Sequence, residues 1–120
     1  MGSEREEIQR RRQALCARLR AFSHEPLMRG SLVERRRQCG RPNCACAADP
    51  AAWHGGKFLT VQIHGKSEAL HIRPEDETYV RDAVAAYARL WDLINDFTRC
   101  EFAELRRQVR ERHRDRRRKT

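Results

Sequence analysis

Three cysteines and a histidine lie close together in the middle of the chain, and this cluster constrains the fold more than any other feature. Cys39, Cys44, Cys46 and His54 follow the spacing C-x4-C-x-C-x7-H. Three thiolates and one imidazole make a closed tetrahedral ligand set that is typical of structural zinc. Glycine, proline and asparagine lie between the first two cysteines, and these residues form the tight turns that a short chelating loop needs. The sequence therefore predicts a structural Zn²⁺ site.

Three histidines are candidates for the fourth ligand of this site. His54 is preferred, while His64 and His71 lie in the strands that follow and compete with it. The alternative for the whole cluster is a set of reduced, unligated cysteines in a loop. The number of cysteines is odd and no secretory signal is visible, so a secreted disulfide framework is not expected. We expect the other two cysteines, Cys16 and Cys100, to be buried or half-buried helix residues rather than ligands.

Two alternating segments follow the cluster and predict a β-hairpin. Residues 57–64 and 67–73 alternate between apolar and polar side chains, which is the period of a strand with one buried face. A two-residue loop that begins with Gly65 predicts a type II′ turn, which pairs His64 with Ser67. The expected apolar face of the hairpin comprises Leu59, Val61, Ile63, Leu70 and Ile72.

A third strand is predicted at residues 32–38, immediately before the cluster. Its run of arginines is atypical of a central strand and favours an edge position. A sheet with so few apolar residues usually needs a staple, and a chelated zinc ion contributes about 10 kcal/mol or more of folding free energy. We expect the metal to tie this strand to the start of the hairpin.

Helical periodicity predicts one helix at each end of the chain. Ser3 and Glu6 have the spacing of a capping box, which begins a helix that extends to about Phe22. Pro74 begins a long second helix, in which no further proline or glycine occurs. The apolar stripe predicted for the first helix comprises Ile8, Leu15, Leu19 and Phe22. The coiled-coil-like seam predicted for the second comprises Val80, Val84, Tyr87, Trp91, Ile94, Phe102, Leu105 and Val109.

These elements define a fold class. We predict an α+β protein with a zinc-stapled three-stranded antiparallel sheet between an N-terminal helix and a long C-terminal helix, and the two helices pair as an antiparallel helical hairpin. A length of 120 residues fits a single domain. Within it we expect the N-terminal helix at residues 1–26, the zinc knuckle and hairpin at 27–73, and the long helix with its basic tail at 74–120.

The charge of the chain predicts a polyanionic partner. Lysine and arginine total 26 against 17 acidic residues, which gives a net charge of +9, and a short basic chain usually meets nucleic acid, either DNA or RNA. A simpler explanation of the charge is that exposed helices carry many charged residues for solubility. For the basic tail, the alternative is a solvated helix end that is basic because cations suit helix C-termini. The residues expected to contact nucleic acid are Arg35, Arg36, Arg37 and Arg41 near the knuckle, and Arg106, Arg107, Arg110, Arg114, Arg117 and Arg118 in the tail.

Several classes of protein are disfavoured. No run of about 18 apolar residues is present, so no transmembrane helix is expected. Without a secretory signal, we expect a cytoplasmic location. The sequence holds neither H-E-x-x-H nor a cluster of carboxylates beside an open metal position, so we do not expect an enzyme.

Three short motifs carry a resemblance to a known family. They are R-G-S at residues 29–31, R-R-R-x-C-G-x-P-x-C-x-C at 35–46 and H-G at 54–55. The chain resembles a family of small uncharacterised prokaryotic proteins that share these motifs, a β-hairpin and a long C-terminal helix. Members of that family are often encountered near transposase and other mobile-element genes. The resemblance covers roughly residues 27–95 and implies that the cysteines and the histidine act together.

Together these observations predict a non-enzymatic nucleic-acid-binding accessory protein with a structural zinc site, associated with a mobile element. The alternative is a protein-interaction or dimerisation module. In that case the long helix would contact a second copy, a recombinase or transposase, or another partner.

Overall fold

The computed structural model describes residues 3–119. The helices and strands are α1 (Glu4–Arg20), β1 (Gly30–Arg37), β2 (His54–Ile63), β3 (Lys66–Ile72) and α2 (Glu77–Arg118). Single-turn 3₁₀ segments lie at Ala21–His24, Ala45–Ala47, Pro50–Ala52 and Pro74–Asp76. The predicted α+β class and the order of its elements are confirmed. Neither α1 nor α2 combines the length and apolar character that a bilayer crossing requires, within residues 3–119.

The chain forms two compact units. The helical unit combines the segment that ends at Glu25 with the segment that begins at Ala88, and the sheet unit comprises Pro26–Tyr87. Helix α2 contributes its first turns to the sheet unit and the remainder to the helical unit. The single domain expected over residues 1–120 stays a prediction.

Helix α1 begins at the predicted cap. The Glu6 backbone N–H donates a hydrogen bond of 3.2 Å to Ser3 Oγ. This bond satisfies one of the free N–H groups of the first turn, which also carries Glu4 and Glu7 at the positive end of the helix dipole. The local sequence is therefore sufficient to fix where this helix begins.

Helices α1 and α2 pair as the predicted antiparallel hairpin. Arg12 Nε donates to Glu101 Oε1 at 2.6 Å, and one turn and a half later Arg18 Nη1 contacts Asp96 Oδ2 at 3.4 Å. The partner of Arg18 thus precedes the partner of Arg12 in the sequence, so the two helices run antiparallel. The buried cluster between these two helix segments comprises Ile8, Leu15, Leu93 and Cys100, with Phe22, Leu90, Phe97 and Ala103 packed against it.

Within the helical unit, α1 does not pack on the predicted seam of α2. Trp91, Ile94, Phe102 and Leu105 are 40–53% exposed, whereas Leu93 is fully buried. This part of α2 carries two apolar stripes roughly a third of a turn apart, and periodicity alone does not reveal which of them α1 covers. Leu19, predicted on the stripe of α1, is likewise exposed.

The three strands form one antiparallel sheet in the order β1-β2-β3. Strand β1 therefore lies at the edge, as predicted, and it begins at Gly30, two residues before the predicted start. One face of the sheet packs on the first turns of α2. The buried cluster there comprises Leu59, Ile72 and Val80, with Met28, Leu32, Val61 and Val84 packed against it.

The turn between β2 and β3 differs from the predicted one. Ile63 pairs with Lys66, so the two-residue loop is His64-Gly65. Both loop residues have positive φ, 51° at His64 and 80° at Gly65, which is the signature of a type I′ turn rather than type II′. Glycine adopts this conformation without steric cost, whereas His64 is held in it by the strands on either side.

The hairpin register is consequently shifted by two residues. Leu59 pairs with Leu70, and the predicted pairing of Leu59 with Ile72 is wrong. Because the shift is even, every side chain keeps its predicted face. That face is nevertheless only partly covered, since Leu70 and Ile63 are exposed while Leu59 and Ile72 are buried.

Candidate metal centre

The centre lies where β1 ends and β2 begins. Arg37, the last residue of β1, is register-paired with His54, the first residue of β2. The loop between these two residues connects the paired strand ends and contains two single-turn 3₁₀ helices. All three clustered cysteines lie in this loop, so the pairing of the two strands brings His54 to them.

The four potential ligand atoms converge. Those of Cys39, Cys44, Cys46 and His54 all lie within 4.8 Å of one another. Cys39 Sγ is 3.5 Å from Cys46 Sγ, and Cys44 Sγ is 3.3 Å from His54 Nε2. A tetrahedral ion with metal–sulfur bonds of about 2.3 Å separates its sulfur ligands by roughly 3.8 Å. The cluster could therefore hold a metal ion such as Zn²⁺.

The competing histidines lie elsewhere. His64 occupies the β2–β3 turn, and the ring of His71 packs edge-on to Phe58 with 5.2 Å between centroids. The two remaining cysteines lie on the helices, as predicted. Cys16 is half-buried, and Cys100 is buried with its Sγ 3.6 Å from the backbone oxygen of Ile8.

Hydrogen bonds prepare the thiol of Cys44 for ligation. The backbone N–H of Cys46, followed by the ring of His54, lowers the pKa of the Cys44 thiol to about 6. A thiolate is the form that binds a metal. Cys46 is fully buried: the Cys39 amide donates to its sulfur, but burial and the neighbouring thiols outweigh that bond and raise its pKa.

Polar side chains fasten the chelating loop, and one of them belongs to the predicted nucleic-acid contacts. Arg36 Nη2 donates to the backbone oxygen of Ala51 at 2.9 Å, across the loop. Gln38 Nε2 donates to the backbone oxygen of Cys46 at 3.3 Å, and Asp49 Oδ1 accepts from the Ala51 amide at 3.0 Å. Arg36 is thus engaged in holding the loop. The signal that could have separated it from Arg35 is strand alternation, which places neighbours on opposite faces.

The other two arginines of β1 lie on the open face of the sheet. Arg35 and Arg37 share the face of His54 and Phe58, according to the strand register. The guanidinium carbon of Arg37 lies 4.9 Å from the centroid of the Phe58 ring, a cation–π contact. Arg41 lies in the loop between the ligands and is exposed.

A cleft on this open face adjoins the centre. Its volume is ≈ 640 Å³, and Arg37, His54, Phe58 and His71 contribute to its lining. Gly56 also lines the cleft, and a Cβ atom there would lie 3.0 Å from His71 Nε2. A larger residue at this position would displace the His71 ring, so glycine keeps the floor of the cleft open.

The tail arginines differ in their surroundings. Arg107 is largely buried between Glu104 and Glu111, with contacts of 2.8 Å to each, and Arg110 pairs with Glu4. The ion pair with Glu104, followed by that with Glu111, raises the pKa of Arg107, and Arg107 in turn lowers the pKa of Glu104. The guanidinium carbon of Arg106 lies 4.6 Å from the ring centroid of Phe102. The last turns present Arg114, Arg117 and Arg118 as exposed side chains.

The fold and the cluster define a small α+β protein with a candidate Cys₃His metal centre. A family model described as a domain of unknown function (DUF6788) matches residues 5–82, and the chain belongs to this family. The match covers α1, the sheet, the metal centre and the first residues of α2. It confirms the membership of an uncharacterised family, while the shared motifs and the mobile-element neighbourhood stay predictions. No curated protein and no solved structure matches the chain.

Proposed function

We propose that the protein is a non-enzymatic nucleic-acid-binding accessory protein in which a structural Zn²⁺ ion fixes a set of arginines. One observation carries this proposal: Arg37 is register-paired with the candidate ligand His54 and lies two residues before the candidate ligand Cys39. A metal held at this point would fix the end of β1 and therefore the side chains that β1 presents.

The spacing of these side chains suits a phosphodiester backbone. Arg35 and Arg37 lie on the same face of β1, and alternate residues of a strand are about 7 Å apart. This distance is close to the separation of successive phosphates along a nucleic-acid strand. Arg41 adds a third exposed cation, in the loop that follows β1. Guanidinium groups bind phosphate oxygens in a bidentate fashion, which supports their role as contacts.

The cleft beside these arginines supports the same function. Its ≈ 640 Å³ lie next to the guanidinium of Arg37 and the rings of Phe58 and His71. A groove that combines cationic and aromatic side chains holds both the backbone and a base of a nucleic acid. Either DNA or RNA satisfies this chemistry.

The basic tail supplies a second region of positive charge. Residues 106–119 hold nine basic and two acidic side chains. Arg107 and Arg110 are engaged in ion pairs within the helical unit, so we assign the contacts of this region to the last turns, which include Arg114 and Arg118. Their contribution is sequence-independent, since it neutralises phosphates.

A structural role for the metal follows from its ligand set. All four ligands of a tetrahedral ion come from the protein, so no coordination position is left for water or substrate. Bound zinc would supply folding free energy rather than an activated nucleophile. Association with a mobile element is part of the proposal and rests on the resemblance of the cysteine motif.

Fluorescence anisotropy with labelled duplex DNA, single-stranded DNA and RNA tests the proposal. The zinc-loaded chain is titrated at several salt concentrations, together with a variant carrying Arg35→Glu and Arg41→Glu. A matched control carries Arg10→Glu and Arg20→Glu on α1, the same change of charge elsewhere. We expect binding that weakens steeply with salt, and a salt slope reduced by about 2 in the first variant only. Affinity that is independent of salt, or equal loss in both variants, would contradict the proposal.

A further inference from the structure

The charged side chains of the sheet are divided unequally between its two faces. The three strands hold two carboxylates, Glu34 and Glu68. Glu34 lies two residues from Leu32 on β1, and Glu68 is register-paired with Val61, so both carboxylates lie on the face that packs on α2. The opposite, open face therefore carries no carboxylate from β1, β2 or β3, although it carries two arginines. A surface of this charge attracts a polyanion.

The cleft on the open face is lined by flat side chains. Its lining includes Arg37, Phe58 and His71, and no carboxylate of residues 3–119 contributes to it. The rings of Phe58 and His71 meet edge to face at 61°, and the guanidinium of Arg37 lies over the Phe58 ring. A base that enters the cleft therefore meets two rings and a planar guanidinium, and each of these groups stacks on nucleobases.

The hydrophobic core of the sheet unit does not account for Phe58. The buried cluster that includes Leu59 lies on the other face of the sheet, and strand alternation separates Phe58 from this neighbour. Phe58 is half-buried, and its register partners on the open face are Val33 and His71. An aromatic ring on the solvent side of a sheet is the kind of group on which sheet proteins stack unpaired bases.

The space beside the two rings depends on a glycine. Gly56 lies two residues before Phe58 on the same face of β2. A Cβ atom at Gly56 would lie 3.0 Å from His71 Nε2 and 3.5 Å from Phe58 Cε2. Any larger residue would fill the space between the strand and the rings. A glycine inside a strand often marks a place where a ligand approaches the backbone closely.

These features favour an unpaired strand over a duplex. In a duplex the faces of the bases are stacked on one another, and the grooves expose only the edges, which proteins read mainly by hydrogen bonds. The Phe58 ring has no donor or acceptor with which to read an edge. Its flat surface can stack on any unpaired base, because every base has a π face.

Polar groups continue along the same face. A second depression of ≈ 500 Å³ is lined in part by hydroxyl and amide side chains, those of Ser31, Thr60, Gln62 and Ser67. Such groups form hydrogen bonds with sugar and phosphate oxygens. Strand β2 has ten residues and a length of roughly 33 Å, so its open face combines a cationic and aromatic end with a polar end.

We infer that the open face of the sheet binds a single strand of nucleic acid and that an unpaired base stacks in the cleft, on Phe58 and His71. Arg35 and Arg37 hold the phosphates beside that base. This inference rests on the proposed function and names the form of nucleic acid that the site takes. Single-stranded DNA and single-stranded RNA supply the same base and phosphate chemistry, and separate arms of the experiment distinguish them.

Fluorescence anisotropy of the zinc-loaded full chain with probes of equal length tests the inference at one fixed salt concentration. The DNA probes are a thymidine strand of about 12 nucleotides, an abasic strand that keeps the phosphates without the bases, and the duplex of the thymidine strand with its complement. A uridine strand is the RNA arm. We expect at least one of the two base-containing single strands to bind about fivefold or more tighter than the abasic strand, which corresponds to one stacked base, and tighter than the duplex.

Variants of Phe58 assign this difference to the cleft. Phe58→Leu removes the flat ring and keeps an apolar side chain, so the affinity for the base-containing strand should fall to that for the abasic strand. Phe58→Tyr keeps the ring and should bind like the wild type. Phe102→Leu is the matched control, because the Phe102 ring also lies against an arginine, Arg106 at 4.6 Å, but belongs to α2. Circular dichroism verifies that each variant is folded.

The outcomes separate this inference from the proposed function. Equal affinity for base-containing and abasic strands, a preference for the duplex, or equal effects of Phe58→Leu and Phe102→Leu would overturn the inference, while salt-dependent binding of these probes would leave the proposed function standing. An absence of binding to every probe would overturn both. The comparison with the abasic strand uses the wild-type chain, so it decides the question even where a variant of Phe58 fails to fold.

Discussion

Arg37 and His54 form the last register pair between β1 and β2, so the strand that presents the arginines and the strand that presents the histidine ligand meet at the metal centre. The loop that follows Arg37 contributes the three thiols. We therefore expect the order of this end of the sheet to depend on a metal bound at the centre.

Arg36 should stabilise the metal centre, whereas Arg35 should not. Arg36 donates to the backbone of the chelating loop, and Arg35 lies on the opposite face of the strand. Arg36→Gln should weaken metal retention by about tenfold, the lower end of the range for residues that support metal ligands. Competition with a chromophoric chelator measures the affinity. Arg35→Gln removes the same charge from the same strand, so an equal effect of both variants would argue against the role of Arg36.

The packing of α2 predicts a sharp contrast between two neighbouring apolar residues. Leu93 is fully buried between the helices of the helical unit, while Trp91 is 53% exposed. Leu93→Ala should destabilise the chain by about 2–5 kcal/mol because it leaves a cavity. Trp91→Ala should cost less than about 1 kcal/mol, because it leaves no buried cavity. Chemical denaturation of both variants measures the two values. The opposite order would indicate that α1 packs on the predicted seam instead.

Glu104 predicts an acid-sensitive component of stability. Arg107, followed by Gln108, donates to its carboxylate and lowers its pKa from 4.5 to about 2. Because the folded pKa is depressed, the stabilisation is present above about pH 4.5 and is lost as the pH falls towards 2. The melting temperature of Glu104→Gln should therefore lie below that of the wild type at neutral pH, and the difference should shrink between pH 4.5 and 2.

Acid also protonates the metal ligands, but both chains have the same ligands. The difference in melting temperature between the wild type and Glu104→Gln therefore does not contain this effect. Glu68→Gln is the control, since Glu68 is an exposed carboxylate on β3 without an ion pair among residues 3–119. A wild-type advantage over Glu104→Gln that stays constant across this pH range would count against the ion pair as its source.

Much of this architecture could be predicted because local signals decide it. Ser3 caps α1, and the alternation around Leu59 sets the faces of the hairpin. The spacing of the cysteines and His54 identifies the candidate ligands without reference to the fold. Each of these features depends on neighbours in the sequence, so the pattern alone contains the information.

The errors concern choices that depend on tertiary packing. Both possible turns contain Gly65, and the type I′ turn requires His64 in the left-handed region, which non-glycine residues adopt uncommonly. Likewise α2 offers two apolar stripes, and only the position of α1 selects the one with Leu93. The role of Arg36 depends on where the chelating loop crosses β1, and that crossing is a property of the folded chain.

Metal content measured by elemental mass spectrometry, on protein purified without chelator, tests the central claim most directly. The account predicts one Zn²⁺ per chain. It further predicts that Cys44→Ser loses the metal and melts at a lower temperature than the wild type. Cys16 is a half-buried cysteine outside the cluster, so Cys16→Ser should keep the metal and the wild-type melting temperature. A chain that contains no transition metal, together with a Cys44→Ser variant that melts like the wild type, would contradict it.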